Sequence, residues 1–223
     1  DEKAIEKISC CRIFDTTSPF KKHVPSKREI DFEKSVCEDT KLMENTTKVE
    51  NAKRIEDVVM YDGFEIQNVI NSTISQDCLS QNNLHIVFTN KLTCTYDNLD
   101  HRYHGRTVIC SNPAIISTTG MIEAPAKSRE YYLEAMKCKM QGLDIKSVKK
   151  NYSGEFLDYY DQRLSKIAEG YLLQATFYYI TGDAFCDSLD CRLNNAHWQK
   201  DLIYSQIKIS KLCKKHQKIL DDL

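Results

Sequence analysis

The sequence predicts an α+β protein on three observations: strand-like segments gather in its first half, helical periodicity takes over from Ser128, and cysteines pair off near its end. Residues 8–14 are a first strand candidate, followed by a charged stretch over 15–55 with weak periodicity. Residues 57–61 (Asp57, Val58, Val59, Met60, Tyr61) are β-rich and stop at Asp62-Gly63, a turn signal. Residues 84–89, 106–110 and 114–118 are firmer strands, the last two divided by Ser111-Asn112-Pro113. From Ser128, Tyr132, Ala135, Met136 and Met140 fall at helical spacing up to Gly142. Residues 161–181 set Leu164, Ile167, Ala168, Tyr171, Leu172, Ala175, Tyr178 and Tyr179 on one stripe, with Asp161 as N-cap and Gly182 as the glycine that ends the helix. A last helix is expected over 195–220, where Leu202, Ile207, Ile209, Leu212 and Ile219 alternate with lysines. Sheet first and helices second, with no internal repeat, reads as one domain over 1–223 in which residues 1–80 are the least defined.

Composition narrows the function classes. The chain has 223 residues, 31 Lys+Arg against 32 Asp+Glu, and 41% hydrophobic residues, which fits neither a disordered chain nor a basic nucleic-acid binder. The longest apolar stretch, residues 171–180, contains Gln174 and Thr176. A membrane span needs about 20 apolar residues, so no membrane association is expected. No charged-then-apolar leader opens the chain. Ten cysteines in an even number, with sequons at Asn45, Asn71 and Asn151, would suit a secreted disulfide protein. Their clustering favours a reduced, cytoplasmic protein instead. Cys110 and Cys138 read as small buried hydrophobes.

The clustered cysteines carry the chemistry. Cys186-x4-Cys191 and Cys213-x2-His216 are two close pairs, and structural zinc takes four tetrahedral ligands in such pairs because one turn or helix end then presents two donors. One zinc ion would clip the last helix to the preceding loop. His197, between the pairs, is a fifth candidate that would stand in for His216. The competing account is a Cys186–Cys191 disulfide with His216 in solvent. His101-x2-His104, preceded by Asp97 and Asp100, is a second His/carboxylate group, read as a polar loop after a strand. Glu123 and Lys127-Ser128-Arg129 read as caps or a solvated entry to a helix, and the terminal lysines as a solvated face.

Residues 175–186 are similar in register to the archaemetzincin zinc-peptidase motif H-E-x-x-H-x-x-G-x-x-H, which runs into Cys-x4-Cys-x-Met and a later Cys-x2-Cys. Gly182 stands on the motif glycine, Cys186, Cys191 and Cys213 on three of the four cysteines, His216 on the fourth, and Leu193 on the methionine. Ala175, Tyr179 and Phe185 stand where the histidines would be, and Thr176 where the glutamate would be. Three histidines hold the catalytic zinc and the glutamate activates its water, and none of these four residues can do that work. The segments His85-Ile86-Val87-Phe88-Thr89, Ile115-Ile116-Ser117-Thr118-Thr119-Gly120, Glu123-Ala124-Pro125-Ala126-Lys127 and Cys191-Arg192-Leu193-Asn194-Asn195-Ala196-His197-Trp198-Gln199 resemble a mostly archaeal family of uncharacterised proteins labelled metallopeptidases, over about residues 84–220. The resemblance implies a metzincin-like (zincin) mixed sheet followed by long helices, one structural Zn2+, and a degenerate peptidase cleft that would hold a peptide or protein partner. It points to a pseudoenzyme with a binding or scaffold role. The alternative is a metal-dependent hydrolase using a relocated site around His101 and His104.

Overall fold

The computed structural model describes residues 13–15, 48–49, 58–78 and 83–222, the first two segments as backbone only. The strand expected over 8–14 therefore lies mostly outside the described residues. Eight described strands run β1 (Ile13–Asp15), β2 (Lys48–Val49), β3 (Met60–Asp62), β4 (Ile86–Thr89), β5 (Leu92–Asp97), β6 (Arg102–Arg106), β7 (Val108–Ile109) and β8 (Ala114–Ser117). They form two four-stranded mixed sheets. The first has the order β1-β4-β8-β7, parallel except for β7, and the second β2-β3-β5-β6, in which only β3 and β5 are parallel.

The first sheet is buried on both faces, as its unbroken apolar strand β8 requires. Ile86, Ala114 and Ile116 pack into the main core with Met121, Ile122, Ile167, Tyr171 and Ala175. Ile115, one residue out of phase, packs on the other face with Ile66 and Ile109. Ile66 belongs to α1 (Gly63–Thr73), a helix that the sequence reading did not include. Asp62 is its N-cap, with Oδ1 accepting from the amides of Phe64 at 2.9 Å and Glu65 at 3.1 Å. Asp-Gly signals a turn and a helix start alike; here Ile66, fully buried, decides for the helix.

The segment read as a polar loop is a hairpin, with β5 and β6 paired from Thr93↔Arg106 to Asp97↔Arg102. The strand expected over 106–110 is split: Arg106 ends β6, and Thr107 forms a corner whose hydroxyl donates to the Gly120 carbonyl at 2.9 Å before β7 begins. Short α2 (Thr118–Glu123) follows β8 directly, capped by Ser117.

α3 (Arg129–Met140) buries Tyr131 and Ala135 against Val148 of α4 (Lys146–Asn151) and against Phe156. Met136 and Met140, expected on the inner stripe, are 50% and 83% exposed. α5 (Leu164–Thr181) is the central helix. Asp161 does not cap it; that carboxylate closes a local turn by accepting from the Arg163 amide at 2.9 Å and pairing with its guanidinium, and Arg163 takes the N-cap position. Gly182 ends α5 in the left-handed region, φ 79°, as expected of it. Of the apolar stripe, Tyr178 alone leaves the core side and is 38% exposed.

The single helix expected over 195–220 is three pieces. α6 (Gln199–Ile203) runs into a wide turn with i→i+5 bonding over Tyr204–Ile209, which Ser210 closes at φ 49°. α7 (Lys214–Asp221) then starts afresh. Gln199, 1% exposed, clamps the crossing of these segments: Nε2 donates to the carbonyls of Met121 (2.9 Å) and Ile122 (2.8 Å), and Oε1 accepts from the Leu157 amide (3.1 Å). Among the described residues no helix is long and apolar enough to cross a membrane.

Candidate metal centre

Three backbone contacts bring the cysteine pairs together. The Cys186 amide donates to the Leu193 carbonyl at 2.8 Å, which folds the loop after α5 back on itself. The Arg192 amide donates to the Lys211 carbonyl at 2.9 Å and draws the segment before α7 onto that loop. The Cys213 amide then points at Cys191 Sγ, 3.4 Å away. Cys213 holds the N-cap position of α7, so His216 lies in the first turn with its ring directed at the same point. His216 Nδ1 is 3.1 Å from Cys213 Sγ and 3.6 Å from Cys191 Sγ.

The donor atoms of Cys186, Cys191, Cys213 and His216 all lie within 4.8 Å of one another. A tetrahedral zinc with thiolate bonds of about 2.3 Å spaces its sulfurs by about 3.8 Å, so the widest pair closes by about 1 Å on binding. Cys191 and His216 are buried, Cys186 and Cys213 half-buried. Phe177 of α5 sets its ring edge-on to His216, centroids 5.7 Å apart, and Leu193, Leu173, Leu212 and Ile219 complete an apolar wall. Cys186 and Cys191 are free thiols, as is every described cysteine.

The electrostatics suit a soft cation. Burial pushes the Cys191 thiol up to about 11. For Cys213 burial acts in the same direction but is outweighed by hydrogen bonds from the His216 amide and the Cys191 and Cys186 thiols, which hold it below its usual value at the N-terminus of α7. Burial lowers His216, with Lys215 adding to the effect, so its imidazole is neutral and ready to ligate at ordinary pH. His197, the fifth candidate, is exposed and outside the cluster; its carbonyl accepts from the Ala126 amide at 2.7 Å.

The five degenerate motif positions occupy the end of α5 and the turn after it. Ala175 is fully buried in the main core, and Thr176 bonds back to the Leu172 carbonyl at 2.9 Å. Tyr179 is half-buried against the core, Gly182 makes the left-handed turn, and Phe185 is half-buried beyond it. None of them joins either of the two metal-capable clusters found among the described residues.

The second of those clusters is Asp97, Asp100 and His104 at the tip of the β5–β6 hairpin. His104 Nε2 is 2.8 Å from Asp100 Oδ2, and this hydrogen bond holds the Asp100 carboxyl below its usual range. His101, expected as its companion, turns away at φ 56°, its Nδ1 3.4 Å from the Tyr96 hydroxyl.

Sequence reasoning misplaced one charged group. Glu123 and Lys127, read as capping or solvated residues, are 8% and 4% exposed and form an ion pair at 3.6 Å. Lys127 Nζ also sits 5.1 Å and 5.0 Å from the ring centroids of Tyr131 and Phe156. Their i,i+4 spacing was the available signal.

No curated protein and no solved structure matches this chain significantly. A family model described as "Probable metallopeptidase family (DUF6775)" matches residues 1–223. A match over the whole length, on a chain that folds four soft and borderline donors to one point, settles membership: the chain belongs to the DUF6775 family of probable metallopeptidases.

Proposed function

We propose that this chain is a zinc-binding protein of one α+β domain with a metzincin-like ancestry and no peptidase activity of its own. One structural Zn2+ is held by Cys186, Cys191, Cys213 and His216. The observation that carries the reading is the convergence of these four donors within 4.8 Å from two short-spaced pairs. Three thiols with one imidazole select zinc over the hard cations, which prefer oxygen ligands. The ion ties α7 and the loop after α5 to the end of the central helix, so its contribution is to folding. A binding or scaffold role follows from the side chains at the motif positions: Ala175, Thr176, Tyr179 and Phe185 offer packing surface, no imidazole and no carboxylate. The cleft beside Tyr179 and Phe185 would take a peptide or protein segment without cutting it. Free thiols fit a reducing, cytoplasmic setting, and the motif's retained glycine and cysteines fit descent from an archaemetzincin-like, archaeal peptidase.

Elemental analysis of the purified protein tests this directly. One zinc per chain, with an X-ray absorption spectrum of three sulfur and one nitrogen ligands, is the expected result; no bound metal would overturn it. A second reading is a metal-dependent hydrolase at the hairpin tip, favoured by the Asp97, Asp100 and His104 donors, which also lie within 4.8 Å of one another. Two metals per chain and peptide hydrolysis that survives Tyr179→Phe but disappears on His104→Ala would establish that reading and end the first.

A further inference from the structure

α3 is apolar on two opposite sides, and the fold uses one of them. Tyr131, Ala135 and Cys138 face the α4 side and pack there. Leu133, Met136 and Met140 lie on the far side of the same helix, at 100° per residue, and are 48%, 50% and 83% exposed. Leu143 prolongs this line. The amides of Gly142 and Leu143 bond back to the carbonyls of Lys139 (3.0 Å) and Cys138 (2.9 Å), wrapping the chain around the helix end, and Leu143 is left 57% exposed. The four residues are spaced three, four and three apart, the a–d rhythm of a helix-pairing seam. A helix facing only water would carry polar residues here.

The residues beside the seam say what fits it. In that rhythm Lys137 and Lys139 fall on the two flanking positions, where interhelical charge pairs choose the partner. Lys146, Lys149 and Lys150 of α4 add positive charge at the same end, with Asp144 paired to Lys146 at 3.0 Å as the acidic residue among them. We propose that the outer face of α3 is a docking seam for an amphipathic helix of a partner protein, one with apolar residues at the same spacing and Glu or Asp at the flanking positions. A helical partner is favoured over a lipid surface because the apolar residues form a line of regular spacing along the helix axis. This proposal is independent of the metal centre.

The test uses two fluorescein-labelled 21-residue peptides with leucine at the a and d positions, one with glutamate and the other with lysine at the flanking positions. Anisotropy titrations with the full chain should show the glutamate peptide binding at least tenfold more tightly, the preference shrinking as salt rises. Met136→Asp should weaken that binding by tenfold or more, and Met140→Asp, at a position 83% exposed, provides a second variant that leaves the folded core untouched. Lys137→Glu with Lys139→Glu should reverse the preference toward the lysine peptide. Equal binding of both peptides, no binding of either, or binding unmoved by both aspartate variants would overturn the proposal. So would two other occupants of the face: sedimentation of the chain with phosphatidylserine vesicles that Met140→Asp abolishes, or a concentration-dependent dimer that Met136→Asp dissolves.

Discussion

Cys191→Ala isolates the contribution of the metal to the fold. Cys191 is fully buried, and its Sγ accepts from the Cys213 amide and lies 3.6 Å from His216 Nδ1, so the substitution removes the ligand that touches both partners on α7. At free zinc a thousandfold above its dissociation constant, binding stabilises the native chain by about 4 kcal/mol. For a chain of this size each kcal/mol moves the melting midpoint by about 2–4 °C, so saturating zinc accounts for about 8–16 °C. The assay is thermal unfolding of wild type and Cys191→Ala, each with zinc and with a chelator. Wild type should drop by that interval on chelation, whereas the variant should start near the chelated value and move by under about 2 °C. Equal chelator shifts in the two proteins, or none in wild type, would refute the reasoning. Acidity should imitate chelation. Protons compete with zinc for the Cys191 sulfur, whose thiol stands at about 11, so this ligand alone costs about tenfold in apparent affinity for each pH unit lost between 9 and 6. His216, lowered by burial, adds no competing proton until the pH falls below its ordinary range.

Three further outcomes follow from packing. Lys127→Met should destabilise by about 3–5 kcal/mol in urea titrations, because Glu123 would stay buried without its cation, and adding Glu123→Gln should restore much of the loss. Gly120→Ala should cost more than about 2 kcal/mol in the same assay, since the new methyl would meet the Arg106 carbonyl and the Thr107 Cα at 2.8 Å, both backbone atoms that cannot step aside. Gly170→Ala would strike the buried Gln206 side chain that holds the Arg192 carbonyl at 2.7 Å; we expect a loss of about 1–3 kcal/mol and a weaker zinc site, read by competition with a chromogenic chelator.

What the sequence discloses depends on how much of each element's identity is local. α5 was legible because one stripe of apolar residues runs its whole length and a glycine stops it. The pairs Cys186/Cys191 and Cys213/His216 were legible because short spacing is itself the geometric requirement. The β5–β6 hairpin was not, since its Thr, Tyr and Arg residues gain their burial and partners only across the strand pair. α1 hid behind Asp62-Gly63, whose two meanings separate only when Ile66 finds Ile109 and Ile115. The break at Ser210 left no mark either: the Leu/Ile pattern runs on across it, and serine becomes a stop only when the wide turn drives it to φ 49°. Glu123 and Lys127 misled for the opposite reason, because charge signals exposure until two opposite charges are buried together beneath aromatic rings. Met136 and Met140 kept helical spacing but sit on the side of α3 that the core does not claim.

The Gln199 clamp bears on how distant relatives can be told apart. Its three contacts ask for two donors and one acceptor on a single flat group at a fixed reach from the backbone, and each contact serves a main-chain atom that is present whatever the neighbouring side chains are. Glutamate has the shape but would set an oxygen against two carbonyls. Asparagine has the chemistry but stops one carbon short, and histidine cannot turn two hydrogens the same way. The amide at this position is therefore fixed by backbone geometry alone, while the apolar residues around it are free to trade volume. A protein that has lost its cysteines, and with them every trace of metal binding, would still need this glutamine to bring its chain crossing to the same place.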